Sequence, residues 1–518
     1  MKKNARDYFD AKVGRMSHPE KRRFDRPDVS QAIQKGEIKS VFLTGVCGKA
    51  MAPLAGLFRA YGMDVSGSDV GCYPPMSDFI EELGIKFYEG FSPEYIKDKD
   101  LVVVANMFGP ESPESVCTRE SHVPHLSMSE AVAEFFIKDR RSIVIAGTHG
   151  KTTTTGLMAH VFMVANKHPG FLVGGVATPT EEGIQETSYA AGFDDKGQES
   201  QYFVIEGDEY DTAYFDKSPK FLHYRPKIAI VTSVEYDHAD IYKDFEEYKQ
   251  SFIFLAEEMP AGDKGGLFVL NGDDGEVRSL AKHAQADVLY YGFSEGCDVT
   301  AKDIVIDEQG QHFRLIYKGQ DKGQFTIGLF GRYNLKNALS VAAVALNENI
   351  SIEDLKKGLA SFLGMKRRQE IRSLPESNRL GVTVIDDFAH HPTAVRETLS
   401  GIRDRYPTRR IIALFEPRSN TSRKKLFEKD YGQAFGDADV LYLSMPALRP
   451  EVDNPADFVD GEYIISQLEN VGKQGFCIQN GDQALEKMVP DLKKGDVVVV
   501  MSNGSFDGVI DKLLKRLA

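Results

Sequence analysis

Residues 145–155 read Ile-Ala-Gly-Thr-His-Gly-Lys-Thr-Thr-Thr-Thr, setting Gly147, Gly150, Lys151 and Thr152 where an apolar run gives way to a helical pattern. This combination suits phosphate chemistry. Glycines let backbone N–H groups of Gly147, Thr148, His149, Gly150 and Thr153 approach phosphate oxygens, and a helix starting near Lys151 turns its positive dipole end toward them. Lys151 can reach β- and γ-phosphates and Thr152 can ligate Mg2+, which together predict a nucleotide-phosphate site. The generic Gly-x4-Gly-Lys-Thr loop would have glycine where this chain has Ile145. The tripeptide Gly-Lys-Thr is therefore weak alone; its position between strand and helix distinguishes it from an ordinary corner.

Further polar groups follow later strands. Glu206-Gly207-Asp208-Glu209-Tyr210-Asp211 comes after an apolar run at 202–205, and Glu235-Tyr236-Asp237-His238-Ala239-Asp240 after one at 228–232. Carboxylates at the carboxyl ends of strands occupy the usual ligand-binding edge of an α/β sheet, and a neutral imidazole among them could complete a divalent-metal site. Solvated acidic loops and a hydrogen-bonded histidine are the plainer readings. Asn334 and Asn337 lie three apart on a helix beginning near Gly331, so both amides can face one ligand or cap the helix. Arg367 and Arg368 follow, then Asp386-Asp387-Phe388-Ala389-His390-His391-Pro392-Thr393 at a strand-to-helix transition.

The elements that would position these groups alternate strand and helix, predicting an α/β protein. At 518 residues the chain exceeds what one core organises, and three domains are expected. We divide it into a polar extension (1–39), a first Rossmann-like domain (40–140), a central P-loop domain (141–364) and a second Rossmann-like domain (365–518). With 63 Lys and Arg against 77 Asp and Glu, the net charge of −14 argues against nucleic acid or anionic membrane as partner. The five cysteines are odd in number, scattered and without a C-x-x-C pair, which predicts neither a disulfide framework nor a zinc knuckle and fits a reducing cytoplasm. Neither a secretory leader nor a membrane span is expected.

The loop Gly-Thr-His-Gly-Lys-Thr-Thr, with the ordered segments after it, resembles the muramyl ligase family from about Ser40 to the C-terminus. The resemblance implies an ATP-dependent, ADP-forming ligase of peptidoglycan metabolism acting through an acyl phosphate. It implies that Lys151, Glu206 and His238 are catalytic, that Thr152, Glu206 and His238 bind Mg2+, and that Asn334 and Asn337 lie near adenine and ribose. Arg368 would bind phosphate on domain closure and Asp387 would touch the nucleotide from the third domain. The turn Gly45-Val46-Cys47-Gly48-Lys49-Ala50-Met51, with Ser66, Ser68 and Asp69, would hold the UDP part of UDP-N-acetylmuramate; Asp69 would also suit a dinucleotide ribose, but Gly45-x-x-Gly48 is a poor dinucleotide fingerprint. This turn, Tyr73-Pro74-Pro75-Met76-Ser77, the segment 210–224 and Glu416-Pro417-Arg418-Ser419-Asn420-Thr421 look most like the family's recycling branch, which attaches L-alanyl-γ-D-glutamyl-meso-diaminopimelate. The branch that adds L-alanine is the alternative, and a nucleotide-switched binding protein a more remote one. Arg418 and Asn420 are candidates for reading the acceptor. The base for the amine is His238, a carboxylate in 206–211, or His390. Phe252 stands where other members carry a carbamylated lysine, with Lys249 out of register, so no carbamylation is expected.

Overall fold

The computed structural model describes residues 27–73, 76–238, 241–419, 422–446 and 454–518. Most of the extension 1–39 therefore lies outside the described residues, as do Pro74, Pro75, Ala239, Asp240, Asn420 and Thr421. The part of the extension that is described packs on the body through the helix Pro27–Gln34, where Val29 is buried and Ser30 donates to Glu134 Oε2 at 3.0 Å.

Three sheets organise the chain. The first comprises β1 (Ser40–Thr44), β2 (Asp64–Asp69), β3 (Lys86–Glu89), β4 (Leu101–Val104) and β5 (His125–Ser127), all parallel in the order β3-β2-β1-β4-β5. The central sheet has ten strands: β6 (Arg141–Ala146), β7 (Gly170–Leu172), β8 (Tyr189–Ala190), β9 (Tyr202–Gly207), β10 (Ile228–Val231), β11 (Leu267–Asn271), β12 (Asp287–Tyr291), β13 (Val299–Asp307), β14 (Gly310–Tyr317) and β15 (Gln320–Ile327). Their order is β15-β14-β13-β12-β11-β10-β6-β9-β7-β8, with the polar stretch near 298–326 forming an antiparallel meander at one edge. The third sheet is β16 (Glu370–Ser373), β17 (Thr383–Asp387), β18 (Ile411–Glu416), β19 (Val440–Ser444), β20 (Gln474–Ile478) and β21 (Val497–Ser502), ordered β16-β17-β21-β18-β19-β20. Runs such as Ile228–Val231 and residues 497–501 are apolar throughout because parallel strands are covered on both faces. This is the three-domain α/β architecture expected from the alternation of strand and helix. No helix among the described residues is long and apolar enough to cross a membrane.

The domains are joined unequally. One apolar cluster runs from Phe58, Phe135 and Phe136 of the first domain through Phe203 to Tyr248 and Phe252 under the central sheet. The two faces of the third sheet form separate clusters, so the third domain has a core of its own. Phe252 is fully buried, stacked edge-on near Tyr248, while Lys249 pairs with Glu276.

One buried group makes the central domain sensitive to acid. His160, on the helix Lys151–Val164, is wholly enclosed; its Nδ1 accepts from Ile184 N (3.3 Å) and its Nε2 faces Ser361 Oγ (2.8 Å). Burial lowers its pKa to about 4. The unfolded chain then binds the extra proton first, so this contribution is complete above pH ~6.5 and is lost as pH falls toward 4. His160→Gln is expected to flatten urea-measured stability across that window by up to ~3 kcal/mol. An unchanged pH slope would contradict the assignment.

Candidate active site

The phosphate loop leaves β6, which lies between β9 and β10 in the central sheet. Registers of Ala146 with Gly207 and with Val231 bring the Glu206 and Glu235 segments to the same carboxyl edge. The loop is built by its glycines. Gly147 has φ 125°, and a Cβ there would strike Thr232 Oγ1; Gly150 has φ 83°, and a Cβ would meet Asn337 Oδ1 at 2.9 Å. Side-chain and backbone bonds then pin the loop to the segment after β10: Thr148 N to Ser233 O (2.9 Å), His149 N to Ser233 Oγ (3.0 Å) and Glu235 N to Thr148 Oγ1 (2.9 Å).

Lys151 folds back over this loop, donating to Gly147 O and to Glu209 Oε2 at 3.1 Å. Glu209 is the residue that sequence reasoning left unsingled within its acidic segment. Its buried carboxylate also pairs with His238 Nε2 at 3.0 Å and accepts from the Tyr248 hydroxyl at 3.2 Å. Burial would raise the Glu209 pKa, but the Lys151 charge and the His238 bond outweigh it and lower the value; the Lys151 pKa is raised, burial being outweighed by Glu209 and Asp208. Asp208, partly exposed and faced by Lys220 and Lys151, is held at about 2. His238 sits at φ 55°, a left-handed conformation uncommon outside glycine, imposed where the chain turns under the loop.

Glu206 lies at the end of β9 beside Thr152, and burial raises its pKa against the Thr152 hydrogen bond and the Lys151 charge. Its Oε1 is buried without a hydrogen-bond partner. Such an oxygen suits a hard divalent cation. Thr152 and Glu206 are thus brought together, whereas His238 is tied to Glu209. Arg368 donates to Thr152 Oγ1 at 3.3 Å, with its guanidinium 4.7 Å from the Phe388 ring centre. The neighbouring Arg367 turns away to Ser502 O (2.6 Å) and Gly504 O (2.8 Å), bracing a loop of the third domain.

Asn334 and Asn337 are buried at the start of the helix Arg332–Asn347. Asn337 Nδ2 donates to Asn334 Oδ1 (3.3 Å) and Asn334 Nδ2 to Phe330 O (2.8 Å), so one pairs with the backbone and the other stands against Gly150. Asp387, at the end of β17, accepts from Gln369 N and Ala389 N, both at 2.7 Å, which organises the loop carrying His390 and His391. It lines one cleft with Lys151, Arg368 and Tyr333.

In the first domain Gly45 takes φ 64°, and Gly48 N donates to Gly45 O at 2.9 Å. Asp69 accepts from Cys47 N (3.1 Å) and Val70 N (2.8 Å), tying the turn to the end of β2. Met51, Ser66 and Ser68 are buried close to the turn in sequence and on the adjoining strand. The cysteine expectation needs correction: Cys47 and Cys72 form a disulfide, with Cα atoms 5.6 Å apart. Their 25-residue separation hides a proximity created by β1 pairing with β2. Lys49, in the same turn, stands 5.8 Å from the Phe388 ring; burial and the Arg367 and Arg368 charges lower its pKa. The first domain therefore reaches the third. Arg418 packs against Gly504 and lies 3.8 Å from Glu416, with about half its side chain exposed.

A phosphate loop whose lysine rests on a buried carboxylate, facing an arginine at the entry to another domain, defines a nucleotide-dependent enzyme of the P-loop class. The chain belongs to the Mur ligase family: residues 41–140 match the Mur ligase family catalytic domain, 145–345 the Mur ligase middle domain and 367–504 the Mur ligase glutamate ligase domain. It is accordingly an ATP-dependent, ADP-forming ligase. The UDP-N-acetylmuramate–L-alanyl-γ-D-glutamyl-meso-2,6-diaminoheptandioate ligase of Escherichia coli K12 is 34% identical over 486 residues, covering 92% of this chain and 98% of the relative. Its counterpart from Haemophilus influenzae is 32% identical over 93% of this chain and 99% of its own length. Among solved structures, the murein peptide ligase of Psychrobacter arcticus matches with TM-score 0.67 and 29% identity, covering 92% and 98% of the respective chains.

Proposed function

We propose that this ligase joins L-alanyl-γ-D-glutamyl-meso-diaminopimelate to UDP-N-acetylmuramate, as a step in reuse of wall peptide. The observation that carries the reading is the full-length similarity to ligases named for that pair of substrates. In this reading residues 40–140 hold the uridine nucleotide through the Gly45–Met51 turn, 141–364 hold ATP, and 365–518 close over both.

A carboxylate becomes reactive toward an amine when one oxygen is made a good leaving group. The lactyl carboxylate attacks the γ-phosphorus, the bond to the ADP oxygen breaks, and an acyl phosphate forms. The peptide's L-alanyl amine then adds to the acyl carbon, phosphate departs and a proton is lost. Lys151 moves from Glu209 to the transferring phosphoryl group, and Arg368 meets the same charge from the opposite side. Mg2+ held by Thr152 and Glu206, with His238 as a further ligand once released from Glu209, would supply additional charge neutralisation. Asn334 and Asn337 position the nucleoside, Asp387 fixes the loop covering it, and closure keeps water from the acyl phosphate.

Phosphate release from ATP with Mg2+ and UDP-N-acetylmuramate is expected with the tripeptide and to be at least about tenfold slower with L-alanine, a discrimination of ~1.4 kcal/mol. Mass measurement of the product checks the bond formed. Equal or faster release with L-alanine would place the chain in the L-alanine-adding branch.

A further inference from the structure

Three side chains from three separate elements converge where the third domain meets the phosphate loop. His149 comes from the loop after β6, Glu235 from the segment after β10, and His391 from the cap of the helix Pro392–Arg405. His149 Nε2 lies 3.4 Å from Glu235 Oε2, and His391 Nδ1 lies 3.8 Å from the same oxygen. One ligand atom from each falls within 4.8 Å of the others. A tetrahedral cation with bonds of ~2.0–2.2 Å requires ligand atoms roughly 3.3–3.6 Å apart, so two edges of such a polyhedron are nearly in place.

The surroundings leave these atoms with unmet needs. His149 Nε2 is buried without a hydrogen-bond partner. His391 is only 7% exposed, and the Nδ1 that faces Glu235 accepts a single long bond, 3.3 Å from Thr393 N, which a cation would displace. The two rings stand 4.7 Å apart, tilted by 45°, without bonding to each other. Glu235 is held between them by the Thr393 hydroxyl, which donates to Oε2 at 2.6 Å. A buried and a half-buried imidazole flanking a fixed carboxylate form an arrangement that a borderline-soft cation satisfies and Mg2+, with its preference for oxygen, does not.

We propose that His149, Glu235 and His391 form a transition-metal site of the Zn2+ or Co2+ class, separate from the Mg2+ position at Thr152 and Glu206. Its ligands belong to two domains with separate cores, so occupancy staples the third domain onto the phosphate loop. The cation is therefore inhibitory, because it holds shut a cleft that has to open for nucleotide exchange. The site stands on its own geometry, whichever acceptor the enzyme uses.

The test uses the full chain, stripped with chelator and free of nucleotide, titrated with Co2+ while visible absorption reports tetrahedral coordination. One Co2+ per chain is expected, displaced by Zn2+. His391→Asn, which keeps a helix-capping acceptor, and Glu235→Gln, which keeps the acceptor for Thr393, are each expected to weaken binding at least about tenfold. His238→Gln and Glu206→Gln, which alter the Mg2+ residues, are expected to leave the Co2+ titration as in the wild type. Circular dichroism confirms that each variant is folded. Absence of tetrahedral Co2+ in the wild type, or loss in His238→Gln with retention in His391→Asn, overturns the proposal.

Discussion

Lys151→Ala is expected to lower acceptor-dependent phosphate release about 10³-fold while UDP-N-acetylmuramate binding, measured calorimetrically, stays within a few-fold of the wild type. The size follows from removing a preorganised cation from a site where charge develops on the transferring phosphoryl group. Binding survives because the turn proposed to hold the uridine nucleotide belongs to another domain. The substitution also strands Glu209, fully buried and 3.1 Å from the lysine. An unpaired buried carboxylate costs roughly 3–5 kcal/mol, reduced here by its bonds to His238 and Tyr248. The double variant Lys151→Ala with Glu209→Gln should therefore regain thermal stability without regaining turnover. A single variant that kept a tenth of its activity would refute the role given to Lys151.

Arg368→Ala should lower kcat about 10²-fold and raise the KM for ATP, whereas Arg367→Ala should act mainly on stability. The two arginines are adjacent, yet one points at Thr152 and the other holds the carbonyls of Ser502 and Gly504. Exchange with lysine distinguishes them further. At position 368 lysine keeps the charge but loses planar contact with Phe388 and should restore little activity. At position 367 no lysine reaches both carbonyls at once, so unfolding should begin earlier without a change in the form of the rate profile. Equal kinetic losses at both positions would mean that the arginines act as one patch.

What the sequence disclosed was whatever depends on neighbours along the chain. The β6 loop was readable because an apolar run, two glycines and a lysine-threonine helix start coincide within eleven residues. The acidic segments were readable because each follows an apolar run. Glu209 was not distinguishable from Glu206 or Asp208 in one acidic segment: its role depends on Tyr248 arriving from the helix Phe245–Glu258 and on Lys151 folding back. The disulfide was missed for the same reason, since β1 and β2 pairing joins cysteines whose spacing follows no familiar pattern. Met51, Ser66 and Ser68 are buried around the Gly45–Met51 turn, a depth that spacing along the chain does not disclose.

The third domain rests on the central one through Thr393 on Glu235 and Arg368 on Thr152, yet its apolar core is its own. A door held by so few latches can swing as one piece, once to admit and once to discharge. Thickening the solvent with glycerol then slows the cycle through friction on a moving mass, while the bond-making step inside feels nothing.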